Sequence, residues 1–281
     1  MVRETICDTT FDAERASCYL HDVTILNCRF EGSADGESAL KGCTDITVDG
    51  CSFSLRCPMW HDRRFRLLYS RMDPGAQAAL WYSENGTIED SVLNGVKAVR
   101  ECRDVCISRC TISSPEFGWR SDGIRMRGCD VDSEYLFLDA HDVSLRDVRV
   151  RGMCSLQYVE GLTLSDCELD ADDALWHCRN VVVKDCVLRG ERLGWFSENI
   201  TLENCRICGT RPLCHCRGLR LVNCTMEGCD LSFECSDVEA DLVGHVDSIR
   251  NPRSGHIVAD SVGSVIRDDA PTECSCEILL R

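Results

Sequence analysis

The phrase NVVVKDCVL, Asn180 to Leu188, returns nineteen residues later as NITLENCRI, Asn199 to Ile207. With the cysteine of each phrase taken as an anchor, one pattern recurs along the chain: aliphatic, any, aliphatic, two any, anchor, any, aliphatic. It falls at Cys28, Cys51, Ser70, Ser91, Cys110, Cys129, Val148, Cys167, Cys186, Cys205, Cys224, Val243 and Val262. From Ser91 to Val262 every step is nineteen residues. The step from 28 to 51 is four longer and that from 70 to 91 two longer, and the loops EGSADGESALK and MDPGAQ account for the excess. A fixed period over most of a chain is the signature of a stacked solenoid, in which each coil buries its apolar face against the next.

Within one period the residues five and three before the anchor are aliphatic, as in Val143 and Leu145 or Leu162 and Leu164, with polar residues between them. That is strand alternation. The anchor and the residue two after it alternate again (Cys167 and Leu169, Cys186 and Leu188), following an Asp or Asn such as Asp166, Asp185 or Asn204 that suits a left-handed corner. A third strand is expected upstream in ALWYS, FGWRS, ALWHC, LGWFS and LSFEC. It ends on a residue eight before the anchor that is almost always small, and a second Asn, Asp or Gly corner follows. Three strands and three corners make one coil of an all-β, single-stranded right-handed parallel β-helix, with about thirteen coils stacked about 4.8 Å apart. A leucine-rich repeat has the Cys or Asn of the anchor place, but nineteen residues is short for it and no helix pattern fills the remainder. A left-handed β-helix is built from hexapeptides, eighteen per coil, and does not fit either. The reading is a single domain over 1–281, with 1–20 as N-terminal cap, 21–266 as coils and 267–281 as C-terminal cap or tail.

Several stretches also resemble a known family: DGESALK (Asp35 to Lys41), AALWY (Ala78 to Tyr82), SPEFGW (Ser114 to Trp119), LGWFSEN (Leu193 to Asn199), DLSFE (Asp230 to Glu234) and IRNPRSGHIVAD (Ile249 to Asp260). They are similar to an uncharacterised bacterial β-helix family, domain of unknown function thirty-seven thirty-seven. The resemblance covers nearly the whole chain and implies a right-handed, pectin-lyase-like β-helix. It brings no assigned catalytic residue.

Function classes narrow with composition. Asp and Glu outnumber Lys and Arg by 47 to 31, a net charge of -16, which opposes the phosphate-neutralising surface that nucleic acid requires and disfavours anionic membranes. MVRETICDTT has no apolar run of signal-peptide length, and nothing later approaches a membrane span, so a cytoplasmic protein is expected, its 23 cysteines reduced. The anchor cysteines read as small core residues. Cys205, Cys208, Cys214, His215 and Cys216 have zinc-like spacing, but the repeat sends them to different faces, and no metal or cofactor is expected. Asp130, Arg149 and Glu168, and beside them Asp132, Arg151, Asp170 and Arg189, read as cross-coil charge ladders. The acidic group Glu168, Asp170, Asp172 and Asp173 is a weaker calcium candidate.

In a solenoid, a binding face must appear as one outward column over adjacent coils. The residue nine before the anchor gives His61, Tyr82, Glu101, Arg120, Asp139, Tyr158, His177, Phe196, His215 and Glu234. Beside it run Trp60, Trp81, Trp119, Trp176 and Trp195, which strand alternation would bury. Aromatic faces with interleaved carboxylates suit a sugar. The sequence thus supports a binding or assembly scaffold with an oligosaccharide as candidate ligand. Two alternatives stand: a carbohydrate-active enzyme, a polysaccharide lyase or glycosidase, with Glu101 and Asp139 as the carboxylate pair; and a structural homo-oligomer joined through faces or ends.

Overall fold

The computed structural model describes residues 4–32, 38–268 and 274–281. The loop read over 31–41 and the cap read over 267–281 therefore lie partly outside the described residues. All regular structure among those described is β-strand, and its ladders are parallel. The chain divides into two compact units, Met1–His141 and Asp142–Arg281, each built of right-handed parallel β-helix coils about nineteen residues apart. Parallel neighbours in one sheet demand a crossover connection, and the right-handed crossover is the one that twisted strands favour.

In the first unit one ladder runs Glu4–Cys7, Val23–Leu26, Thr47–Asp49, Arg66–Leu68, Glu84–Glu89, Arg103–Ser108 and Arg125–Arg127. A second runs from Thr10–Phe11 through Arg29–Phe30, Ser52–Phe53 and Arg71–Met72 to Asp130–Asp132. Segments of the expected N-terminal cap thus pair as strands themselves. Phe11, Phe30 and Phe53 stack face to face at 4.9 and 4.6 Å inside this second ladder. In the second unit the first ladder runs Glu160–Ser165, Arg179–Lys184, Glu198–Glu203, Leu219–Glu227, Asp237–Leu242, Ser254–Ala259 and Glu277–Leu280.

The inward residues are those the repeat named, including Val105, Ile107, Val181, Val183, Leu188 and Ile207. The corner residues adopt the left-handed backbone as expected, with φ of 56° at Asp166, 54° at Asp185, 54° at Asn204 and 57° at Asn180. The anchors from Cys28 to Cys224 are buried, but they are more than fillers. After the corner, the anchor amide points along the coil axis, where no strand partner waits, and the next anchor's side chain accepts from it. Cys51 N–H donates to Ser70 Oγ at 3.0 Å, Ser70 to Ser91 Oγ at 3.1 Å, Cys110 to Cys129 Sγ at 3.4 Å and Cys167 to Cys186 Sγ at 3.3 Å. Each acceptor in turn donates to a carbonyl two residues back, as Ser70 does to Leu68 at 2.7 Å and Cys186 to Lys184 at 3.0 Å. A small side chain that both donates and accepts is what the corner requires, and Cys and Ser share that property.

Two expectations fail. The third strand exists only as the short pairs Met59–Trp60, Leu80–Trp81 and Val99–Arg100; in later coils that segment is a run of turns. The anchor Val243 is also misplaced, and Val262 stands over the buried Val246 rather than over Val243. A register shift between Val222 and Cys224 sets Leu242, not Val243, beside Cys224. Leu242 is accordingly 0% exposed and Val243 40%. One residue of slip inverts a strand's two faces, so the period that had held to Cys224 stops predicting sidedness there. Val262, in turn, pairs with Val246 and is only half-buried.

Candidate functional site

The outward column lies on the segment that is not a strand. In the second unit its backbone alternates in handedness: φ is 54°, 60° and 58° at Cys154, Leu156 and Tyr158, 55°, 61° and 55° at Asp173, Leu175 and His177, and 53°, 58° and 58° at Arg211, Leu213 and His215. The residues between them stay on the ordinary side of φ. Side chains no longer alternate strictly in and out, so neighbours such as Trp176 and His177 both reach the surface, the indole half-buried and the imidazole exposed. All five tryptophans share that intermediate position, which corrects the expectation that alternation would bury them.

Coil-to-coil hydrogen bonds still zip this segment. Tyr158 N–H donates to Trp176 O at 2.8 Å, His177 to Trp195 O at 2.9 Å and Phe196 to Cys214 O at 3.1 Å, while Leu175 donates the opposite way to Ser155 O at 3.0 Å. Held in that register, the rings form a ladder. Tyr158 and His177 stack at 4.8 Å between centroids, His177 and Phe196 at 5.1 Å, and Phe196 and His215 at 4.7 Å, all within 12° of parallel. Trp176 and Trp195 stack alongside at 5.5 Å. Their indole N–H groups donate to Arg192 O and Arg211 O, both at 2.6 Å. Ring faces are thereby spent on one another. The ladder shows solvent its edges: C–H groups, the Tyr158 hydroxyl and imidazole nitrogens.

The first unit has a shorter version. His61 stacks on Tyr82 at 5.1 Å and Trp60 on Trp81 at 5.6 Å, with Lys41 over Trp60 and the Arg100 guanidinium 4.7 Å over Trp81. The indole nitrogen of Trp60 is buried without a hydrogen-bond partner among the described residues. Burial, then Lys41 and Arg63, pushes the His61 imidazole down from its usual pKa, and burial does the same to His215, where the Arg211 and Arg253 charges oppose a raising pull from Glu234. Both rings are neutral imidazoles at neutral pH.

The column's charged members are taken up by arginines. Burial pushes the Glu101 carboxyl up, but hydrogen bonds from Arg100, at 3.0 Å, and Tyr82 outweigh it and hold the group below its ordinary value. Arg120 faces Asp139 at 3.3 Å. Glu234, half-buried, lies 3.4 Å from Arg211 and 3.6 Å from Arg250. The structure therefore brings Tyr158, His177, Phe196 and His215 into one strip with Glu234 next to its last ring, and pairs His61 with Tyr82. It does not make Glu101 and Asp139 a free acid and base pair.

The acidic group has internal partners as well: Asp172 accepts Glu191 N–H at 2.8 Å, Asp173 binds Arg192 at 2.6 Å, and Asp170 stands between Arg151 and Arg189 in register. Of the zinc-spaced residues, Cys205, Cys214 and Cys216 are buried and Cys208 and His215 half-buried; among the described residues no three His, Cys, Asp or Glu side chains converge on one point.

The sequence reading missed Asp62. It occupies the small-residue column, fully buried, with Oδ1 accepting Cys43 N–H at 2.8 Å and Oδ2 without a partner among the described residues. Desolvation raises its pKa well above the usual carboxylate value. A lone acid in a column otherwise almost entirely Ser, Cys and Ala was the signal available.

A family model described as "Protein of unknown function (DUF3737)" matches residues 4–279. The chain belongs to the DUF3737 family. No curated protein matches this DUF3737 chain. Among solved structures it is similar to the A-module of the mannuronan C-5 epimerase AlgE6 of Azotobacter vinelandii, at 8% identity over 98% of this chain and 87% of that one, with a TM-score of 0.37. PfbA, a surface adhesin of Streptococcus pneumoniae, matches at 9% identity over 98% and 82%, with a TM-score of 0.35. HetL, a pentapeptide repeat protein of the cyanobacterium Nostoc, matches at 10% identity over 79% and 92%, with a TM-score of 0.34. At this level of likeness none of their activities transfers to the DUF3737 chain.

Proposed function

We propose that this protein is a binding scaffold rather than a catalyst, and that the ring ladder of the second unit is its recognition strip for an extended oligosaccharide lying along the coils. The observation that carries the reading is the four-ring stack of Tyr158, His177, Phe196 and His215, repeating at 4.7 to 5.1 Å. An open, ribbed strip suits a polymer better than a small molecule, which favours an enclosing cavity. Sugar C–H groups settle between the ring edges, and the Tyr158 hydroxyl with the neutral His215 and neighbouring His177 nitrogens orients the sugar hydroxyls. The enzyme alternative loses support because a general acid at neutral pH needs a raised carboxyl, and Glu101 is displaced the other way. The same reading has the protein working in the reducing cytoplasm with its thiols reduced.

The test is a thermal-shift screen of the reduced protein against neutral and uronic oligosaccharides, with and without calcium. A saccharide at one hundred times its dissociation constant adds about 2.7 kcal/mol of stability. The expected result is a shift with at least one saccharide that His177→Ala and Tyr158→Ala abolish. A flat screen, or a shift that survives both substitutions, overturns the assignment.

A further inference from the structure

Among the described residues, no strand covers the interior of the last coil of the second unit. Glu277–Leu280 pairs with Ser254–Ala259 on one side, and among the described residues no strand pairs with its other edge. Leu280 sits in register with Ala259, an inward residue that is 0% exposed, yet Leu280 itself is 62% exposed, with no strand stacked on it among the described residues. The neighbouring strand repeats the situation: Val265 stands over the buried Ile249 and is 45% exposed. Between these strands lies an open hollow of about 650 Å³, lined by apolar side chains such as Val262, Val265, Ile278 and Leu280 together with Arg267 and Glu277. This is a cross-section of the core, with a strand edge along its rim that pairs with no other strand among the described residues. A solenoid end of this kind requires a cover.

The edge sequence says what fits. Glu277-Ile278-Leu279-Leu280-Arg281 is complementary to itself when read antiparallel. Set two copies edge to edge about Leu279, and residue numbers across the pair sum to a constant. Glu277 of each copy meets Arg281 of the other, Ile278 meets Leu280, and Leu279 meets its own symmetry mate. Antiparallel pairing keeps side chains on their own sheet face, so Ile278 and Leu280 of both copies point into the joined interior while the two ion pairs lie outside. Arg281 already reaches back to Asp241 and Asp260, and its guanidinium has further donors for a third carboxylate; Glu277 has no ion-pair partner among the described residues.

We propose that two copies of this chain associate through a two-fold axis at the Glu277–Leu280 edge, continuing the sheet and closing the two open cores against each other. Such an interface is isologous, the commonest kind among soluble oligomers.

Charge reversal tests it. By sedimentation velocity, the untagged 281-residue chain is expected as a dimer, whereas Glu277→Arg and Arg281→Glu are each expected as monomers because like charges then meet at both ends of the pair. Mixing the two variants restores complementarity at both ends, so the equimolar mixture is expected to dimerise. Arg281→Glu also breaks the contacts with Asp241 and Asp260, so folding is checked by circular dichroism, and Leu279→Cys supplies an independent readout. Under mild oxidation its residue 279 is expected to be linked to residue 279 of a second copy, identified by peptide mapping. A wild-type monomer at the highest soluble concentration overturns the proposal. So does a dimer that both reversals leave intact, a mixture that stays monomeric, or a 279 variant with no such link.

Discussion

Asp62 shows how a single residue can be carried as an exception inside a regular column. Its neighbours in that column, Ser83, Ser121 and Ser197, accept the amide of the preceding coil, as Asp62 does through Oδ1. A buried carboxyl whose folded pKa lies above its unfolded value is protonated in the native state and ionised in the unfolded one. Its stabilising contribution is complete below the unfolded pKa, near 4, and is lost as pH rises toward the raised folded value. Stability should therefore fall by up to about 1.4 kcal/mol per pH unit over that window. Asp62→Asn keeps an acceptor for Cys43 without titrating. Urea unfolding of both proteins from pH 4 to pH 8 should show the variant gaining on the wild type as pH rises, and parallel profiles would contradict a neutral Asp62.

At the scale of the coil, each inward position is packed against the same position one turn away, so volumes compensate between neighbours. Gly86 stands opposite Val105 in the ladder, where a side chain would be expected, and a Cβ there would lie 2.0 Å from Phe65 Cζ. The Phe65 ring fills the volume of two positions. Gly86→Ala should cost roughly 1 to 3 kcal/mol by overpacking, and Phe65→Leu in the same chain should recover most of it, a coupling that a double-mutant cycle of chemical denaturation measures. Val183, inward between Leu164 and Leu202, is the opposite case with no slack. Val183→Asp should cost several kcal/mol by burying an unpaired charge, and a near-normal melting temperature would refute its place in the core.

Over the whole molecule the cysteines form a graded set. Of the 23, 17 are buried, while Cys7 and Cys106 are exposed and Cys18, Cys154, Cys208 and Cys274 are half-buried. Burial pushes the thiols of Cys43, Cys51 and Cys102 up to about 12, which leaves almost no thiolate to react at neutral pH. Alkylation of the native protein followed by intact-mass analysis should give two fast adducts, a slower group of four, and the remainder only after denaturant is added. Rapid labelling of the anchor cysteines would mean that the coils open far more readily than their packing implies.

The sequence by itself determined the coil. The nineteen-residue period, the inward aliphatic pairs and the corner Asn and Asp residues were legible because a solenoid writes the same short-range geometry in every turn, and Cys167, Cys186 and Cys205 stand where that period put them. The tertiary structure alone decided which way the tryptophans face, because the alternating left-handed backbone at Leu175 and His177 abolishes the two-residue rule from which sidedness was read. It alone placed Leu242 rather than Val243 inside, since a one-residue bulge leaves hydrophobic composition unchanged while exchanging the faces of the strand. Whether ring faces or ring edges meet solvent was likewise a matter of stacking between coils, and a column of letters carries no side-chain torsion.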